Sequence, residues 1–254
     1  MNLKKKVVNL LTSNIQLKII LKIIKIFLLA SICLIPFVII ALVFTKGKMP
    51  SFSIGICLII GSLWAIKQEF GSLKAVGFTN KSVCKHMLYG MILCIIYYLT
   101  VIGVNFILGY SIGIESLSIV GIVGILCKYI IVGFSEETLC RGYVLKLICN
   151  EKHSANKAII VQAIIFMMIH IVNPAYGSLQ QFIFPLILGI LLGFLVLRQQ
   201  NLWSAIVFHI LLDFINDILI INKSSYIVII GFIVISLFIG VYKRNEIYLI
   251  RNEN

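Results

Sequence analysis

A chain of 254 residues that is 61% hydrophobic and 12% charged, with a mean hydropathy of +1.09, carries more apolar surface than a soluble domain of its size can bury. The formal net charge of +13 does not indicate nucleic acid, because the basic residues sit in short connections and form no continuous face. The composition therefore predicts an all-α, polytopic membrane helix bundle with membrane lipid as its surroundings and no soluble module.

In chain order, Lys4, Lys5, Lys6, Lys18, Lys22 and Lys25 make residues 1–25 a basic amphipathic segment suited to the membrane surface. The apolar run that follows lacks a small-x-small cleavage site and reads as a retained first span. A crossing helix needs about 20 apolar residues. Spans are predicted at 26–45, 51–66, 87–110, 119–140, 157–172, 179–197, 202–221 and 225–242. That makes about eight, the fourth running on as a helix to about residue 149. One membrane domain thus fills 26–242, and 243–254 forms a tail. The seven cysteines are scattered without a CxxC pair, which argues against a zinc knuckle or a disulfide framework.

Basic residues test the topology. With the N-terminus inside, eighteen of the 22 Lys and Arg fall on one face. Only Lys46, Lys48 and Lys223 fall on the other, and Lys128 lies within a span. The positive-inside rule then places both termini in the cytoplasm of a multi-pass cell-membrane protein. The short, cysteine-free tail and the high Lys, Ile and Asn content look bacterial.

Ionisable groups inside spans are costly, and they mark candidate functional sites. They concentrate at Ser135-Glu136-Glu137-Thr138-Leu139-Cys140-Arg141, at Phe166 through His170, and at His209 through Asp213. Glu137 and Arg141 are four apart and share a helix face in the favourable acid-then-base order. Glu136 is about 140° around the helix from Arg141, so it is left free of that guanidinium. A lone carboxylate in a low-dielectric cleft suits a general base. His170 alone is as compatible with a hydrogen-bonded core residue as with catalysis. His209 and Asp213, four apart, can orient an imidazole, hold a metal or satisfy each other. The coincidence of all these groups in one small bundle favours a site. The predicted boundaries leave a discrepancy in depth. They put Glu136 about one turn from the cytoplasmic end of its span and His170 roughly 21 Å along its own.

Taken together, Glu136-Glu137-x-x-x-Arg141, Phe166-x-x-x-His170 and His209-x-x-x-Asp213 resemble the CPBP family of intramembrane glutamic endopeptidases. This family is also called the CAAX protease and bacteriocin-processing, or Abi, family. The likeness extends through Gly189-x-x-x-Gly193, Arg198, Leu202-Trp203 and Ala205, and it covers about residues 119–217. It implies a hydrolase acting on a peptide bond at the membrane, without metal or other cofactor. By position, Glu136 is the general base that activates water with the help of His170. His209 and Asp213 stabilise the oxyanion, Phe166 shapes the site, and Glu137 and Arg141 support it. Because an ionised Asp213 would repel an oxyanion, Asp213 is expected either to be protonated or to orient a protonated His209 as the donor, the second being the preferred role. The expected partner is a membrane-associated protein or a small secreted peptide precursor. Two other readings stand beside this one. In the first, zinc is held by His170, His209 and a carboxylate, although HExxH is missing. In the second, the chain is a non-catalytic immunity or scaffold protein that keeps the motifs. A transporter fits less well, since the charges cluster instead of lining a path.

Overall fold

The computed structural model describes residues 15–44, 46, 52–150, 154–170, 180–222 and 224–241. Residues 1–14 of the basic lead-in and the 243–254 tail therefore lie outside the described residues. Helix α1 spans Ile15–Phe44, α2 Ser53–Phe70 and α3 Val83–Ile107. Helix α4, Ile119–Glu137, passes through a π-helical segment, Thr138–Val144, into α5, Leu145–Asn150. Then come α6 Ala155–His170, α7 Gln180–Gln199, α8 Trp203–Ile218 and α9 Ser225–Val241. With α4, the π segment and α5 forming one rod, the described residues hold eight helical rods, as the hydropathy pattern predicts.

Five rods are long and apolar enough to cross a membrane: Leu17–Val43, Ser53–Phe70, Val83–Ile107, Ile119–Asn150 and Phe182–Gln199. Ala155–His170 and Tyr226–Gly240 are shorter apolar helices. Exposure is arranged in the reverse of a soluble protein. Ile107 (81%) and Leu237 (64%) face outward, while Glu137, Arg141, Gln162, Ser204 and His209 are buried. Lipid accepts the first kind of surface, and only a protein interior with partners accepts the second.

Small residues let the rods approach closely. On α7, a Cβ at Gly189 would lie 2.8 Å from the Ala163 Cα, and one at Gly193 would lie 2.5 Å from Gln162 Nε2. Gln162 Nε2 donates to the Gly189 carbonyl at 2.6 Å. The Gly-x-x-x-Gly pair noted in the sequence is thus the seam between α6 and α7. On α3, Gly90 lies directly against the Ser204 backbone of α8. Tyr98 Oη donates to the Leu212 carbonyl at 2.6 Å, adding a second tie between α3 and α8. At one end of the bundle, Gly113–Ile114 pairs antiparallel with Leu219–Ile220, a two-residue ladder that closes the α3–α4 connection over the end of α8. At the other end, a 3₁₀ turn at Leu73–Val76 ends in Gly77 with φ +98°, and the Gly77 carbonyl accepts from Leu202 N at 3.0 Å.

The depth discrepancy is one of boundaries. The fourth helix continues to Asn150, as the sequence reading expected, so counted from the helix end and not from the span boundary at 140, Glu136 lies in the middle of its rod. Glu136 is about 14 residues from Asn150 and His170 about 15 from Ala155, roughly 21 Å along each helix from the ends that adjoin residues 151–153. The two side chains are level.

Candidate functional site

The site is built where α4, α6 and α8 converge. Their polar groups face one another because every alternative direction meets lipid or apolar core. Glu137 is fully buried and accepts from Arg141 Nη1 at 2.8 Å, four residues on, as the spacing predicts. The same carboxylate oxygen, Oε1, lies 2.8 Å from His209 Nδ1. A carboxylate only accepts, so that ring nitrogen carries the proton. Glu137 is therefore both the partner of Arg141 and the group that sets the ring of His209. The sequence reading gave the second task to Asp213. Asp213 stands instead at the opposite ring nitrogen, with Oδ2 3.5 Å from Nε2.

Glu136, the neighbouring residue, is turned about 100° from Glu137 around the helix and approaches the opposite ring nitrogen of His209. Its Oε2 lies 3.6 Å from His170 Nε2 and 3.8 Å from His209 Nε2, and this buried oxygen has no hydrogen-bond partner among the described residues. His170 is oriented by its own helix: Nδ1 lies 2.9 Å from the Phe166 carbonyl, which can only accept. Nδ1 is therefore the donor, and Nε2 is presented to Glu136. Phe166 is buried between cationic and aromatic neighbours. The Arg141 guanidinium lies 4.2 Å over its ring, the His170 ring centroid is 4.5 Å away and the His209 centroid 5.8 Å away. A cation over a ring face is attracted by the ring quadrupole, so Phe166 helps fix Arg141 as well as both imidazoles.

All seven residues singled out in the sequence thus meet in one place. Glu136, His170, His209 and Asp213 line a cavity of about 630 Å³, with Phe166 at its wall. Glu137 and Arg141 stand behind His209. The sequence reading missed two further features. One is the π segment beginning at Thr138, whose seven residues are all buried directly after the two glutamates. Such segments insert a residue into a helix and often lie at functional sites. The other is a polar cluster in the cavity wall. Tyr129 Oη donates to Asp217 at 2.6 Å, and Lys128 Nζ lies 3.6 Å from the same carboxylate. Lys128 inside a predicted span was the available signal. Among the described residues, no group of three or more His, Cys, Asp or Glu is placed to hold a metal ion.

Residues 118–215 match the family model described as type II CAAX prenyl endopeptidase, Rce1-like. The matched segment contains all seven site residues, in agreement with the resemblance carried by the three motifs. No curated protein matches the chain.

Proposed function

We propose, from the match of residues 118–215 to the Rce1-like family of CAAX-type endopeptidases, that the protein hydrolyses a peptide bond inside the membrane using a water activated by Glu136. The observation that carries this reading is the convergence of one unpartnered carboxylate oxygen with two imidazole nitrogens in a single cavity. A water held by Glu136 Oε2 and His170 Nε2 loses a proton to the carboxylate as its oxygen bonds to the scissile carbonyl carbon. The carbonyl electron pair moves to oxygen. The donor to that oxyanion is Nε2–H of a doubly protonated His209, whose Nδ1–H is held by Glu137. Asp213, 3.5 Å from the same Nε2, acts in its protonated form, so that it offers the oxyanion a second donor and no like charge, and Glu137 supplies the charge that balances the imidazolium. The intermediate collapses as the C–N bond breaks, and the proton on Glu136 passes to the leaving amine.

The substrate class proposed is a membrane-associated protein or a small secreted peptide precursor, whose extended segment enters the cavity between α4, α6 and α8. The purified full chain, assayed in detergent against prenylated CAAX peptides and short peptide precursors, should cleave one class. Cleavage of neither would remove the endopeptidase reading and leave the scaffold or immunity role.

Metal dependence separates glutamate from zinc chemistry. Activity of the purified protein should survive strong chelators, and metal analysis should find no stoichiometric zinc. His209→Ala removes one oxyanion donor and should lower turnover by about 10²–10³ with little change in KM. One zinc per chain, lost together with activity in His209→Ala, would establish the zinc hydrolase instead.

The orientation proposed from the basic residues puts the 71–82 connection in the cytoplasm and the two-stranded ladder outside. In a background with all seven cysteines replaced, a cysteine at Ser116 should react with an impermeant maleimide on intact cells. One at Lys81 should react only after permeabilisation. The reverse pattern would invert the topology.

A further inference from the structure

A second cavity, of about 250 Å³, lies at the end of the bundle away from the two-stranded ladder. Its wall comes from the 3₁₀ turn before Gly77, from the π segment and α5, and from the end of α7. Lys74, Thr79, Arg141, Lys146, Val196 and Gln200 line it. Two cationic atoms of this wall are orphaned. Lys146 is 5% exposed and Arg141 1%, yet Lys146 Nζ and Arg141 Nε are buried with no hydrogen-bond partner among the described residues. No Asp or Glu lines the cavity among the described residues. The one carboxylate paired with Arg141, that of Glu137, is already shared with His209.

A buried ammonium without a counter-charge is costly, and the chain has a cheaper choice at residue 146 in any apolar side chain. The Gln200 amide and the Arg141 Nη atoms already donate to Leu197, Glu137 and Leu188, which leaves the Lys146 ammonium, Arg141 Nε and the Lys74 ammonium as the cationic donors around this volume, the kind of set that holds an oxyanion. We propose that this cavity binds a phosphate-class oxyanion, through Lys146 with Arg141 and Lys74. The apolar remainder of the wall, Val196 among it, suits a phosphate carried on a lipid as well as a free one. The site stands apart from the proposed catalytic reading, since it uses neither Glu136 nor either imidazole. It touches the candidate active site through Arg141, which lines this cavity and at the same time holds Glu137.

The test is thermal unfolding of the full chain in neutral detergent micelles. One arm adds inorganic phosphate against potassium chloride of equal ionic strength. The other dopes the micelles with phosphatidylglycerol against phosphatidylcholine. In at least one arm Tm should rise saturably, by about 5–10 °C at about a hundred times Kd. Lys146→Arg should keep the rise and Lys146→Met should lose it. A response to phosphate identifies a free anion, and a response to phosphatidylglycerol alone identifies a lipid headgroup. No rise in either arm, or an equal rise in Lys146→Met, overturns the proposal. If Lys146→Met does not fold, Lys74→Met at the exposed rim serves in its place. Its saturation midpoint should move several-fold upward, and an unchanged midpoint overturns the proposal equally.

Discussion

Glu136→Gln should reduce peptide cleavage by about 10²–10⁴ or abolish it, while the protein keeps its Tm to within a few degrees. The amide has nearly the same volume and can still lie between His170 and His209, but it cannot take a proton from water. The native contacts at this position are loose, 3.6 and 3.8 Å, so little native binding is lost with the charge. Removing an unpartnered carboxylate oxygen from a buried position offsets part of what is lost. A normal turnover in Glu136→Gln, measured on folded protein, would rule out Glu136 as the base.

Glu137→Gln should give the opposite balance, with a large loss of stability and activity falling as a consequence. Its carboxylate is fully buried and accepts from Arg141 and His209 at 2.8 Å each, so the substitution strands the guanidinium and releases the ring. Breaking one partner of a buried pair costs about 3–5 kcal/mol, which for a chain of this size lowers Tm by roughly 10 °C. Arg141→Ala should cost a similar amount, because it removes the same pair and also the cation over Phe166. The double variant should be less destabilised than the sum of the two single ones, since each single change strands a charge that the double removes. A Glu137→Gln protein with native Tm and lost activity would place Glu137 among the groups that act directly on substrate.

The contrast between these adjacent glutamates was largely legible before any coordinates. A helix turns about 100° per residue, so only one of two successive side chains can meet a partner four positions on. Glu137 and Arg141 pair accordingly. The assignment of His209's partner was not legible. Spacing within α8 offered Asp213, four residues away, whereas the short contact comes from Glu137, seventy-two positions distant in sequence. Sequence spacing ranks contacts within a helix. It carries no information on which residue of another helix arrives first. The π segment escaped for a related reason: Thr138 and Gly142 are poor helix formers, but neither specifies a wider turn, so the sequence alone does not distinguish a π segment from an ordinary helix here.

Lys146 shows the same division. In sequence it is one basic residue among eighteen on the side predicted to be cytoplasmic, where solvation would be expected. In the structure it is buried, because the helical continuation to Asn150, which the sequence reading expected, packs against α6 and is not left in solvent. Hydropathy measures how apolar a segment is, and a lysine with apolar neighbours lowers that measure whether or not its head reaches water.

By itself the amino-acid sequence determined the class of fold, the number of rods and the seven residues of the candidate site. Twenty-residue apolar runs are too costly to leave in water, and ionisable groups within them are too costly in a bilayer to stand without partners. Only the tertiary structure decided the levels and pairings: Glu136 with His170 at one depth, Glu137 as the holder of His209, and the buried, unpartnered Lys146 ammonium beside a second cavity. Those depend on how far each helix runs and how closely glycines such as Gly90, Gly189 and Gly193 let the rods approach. Both are settled by packing between segments remote in the chain.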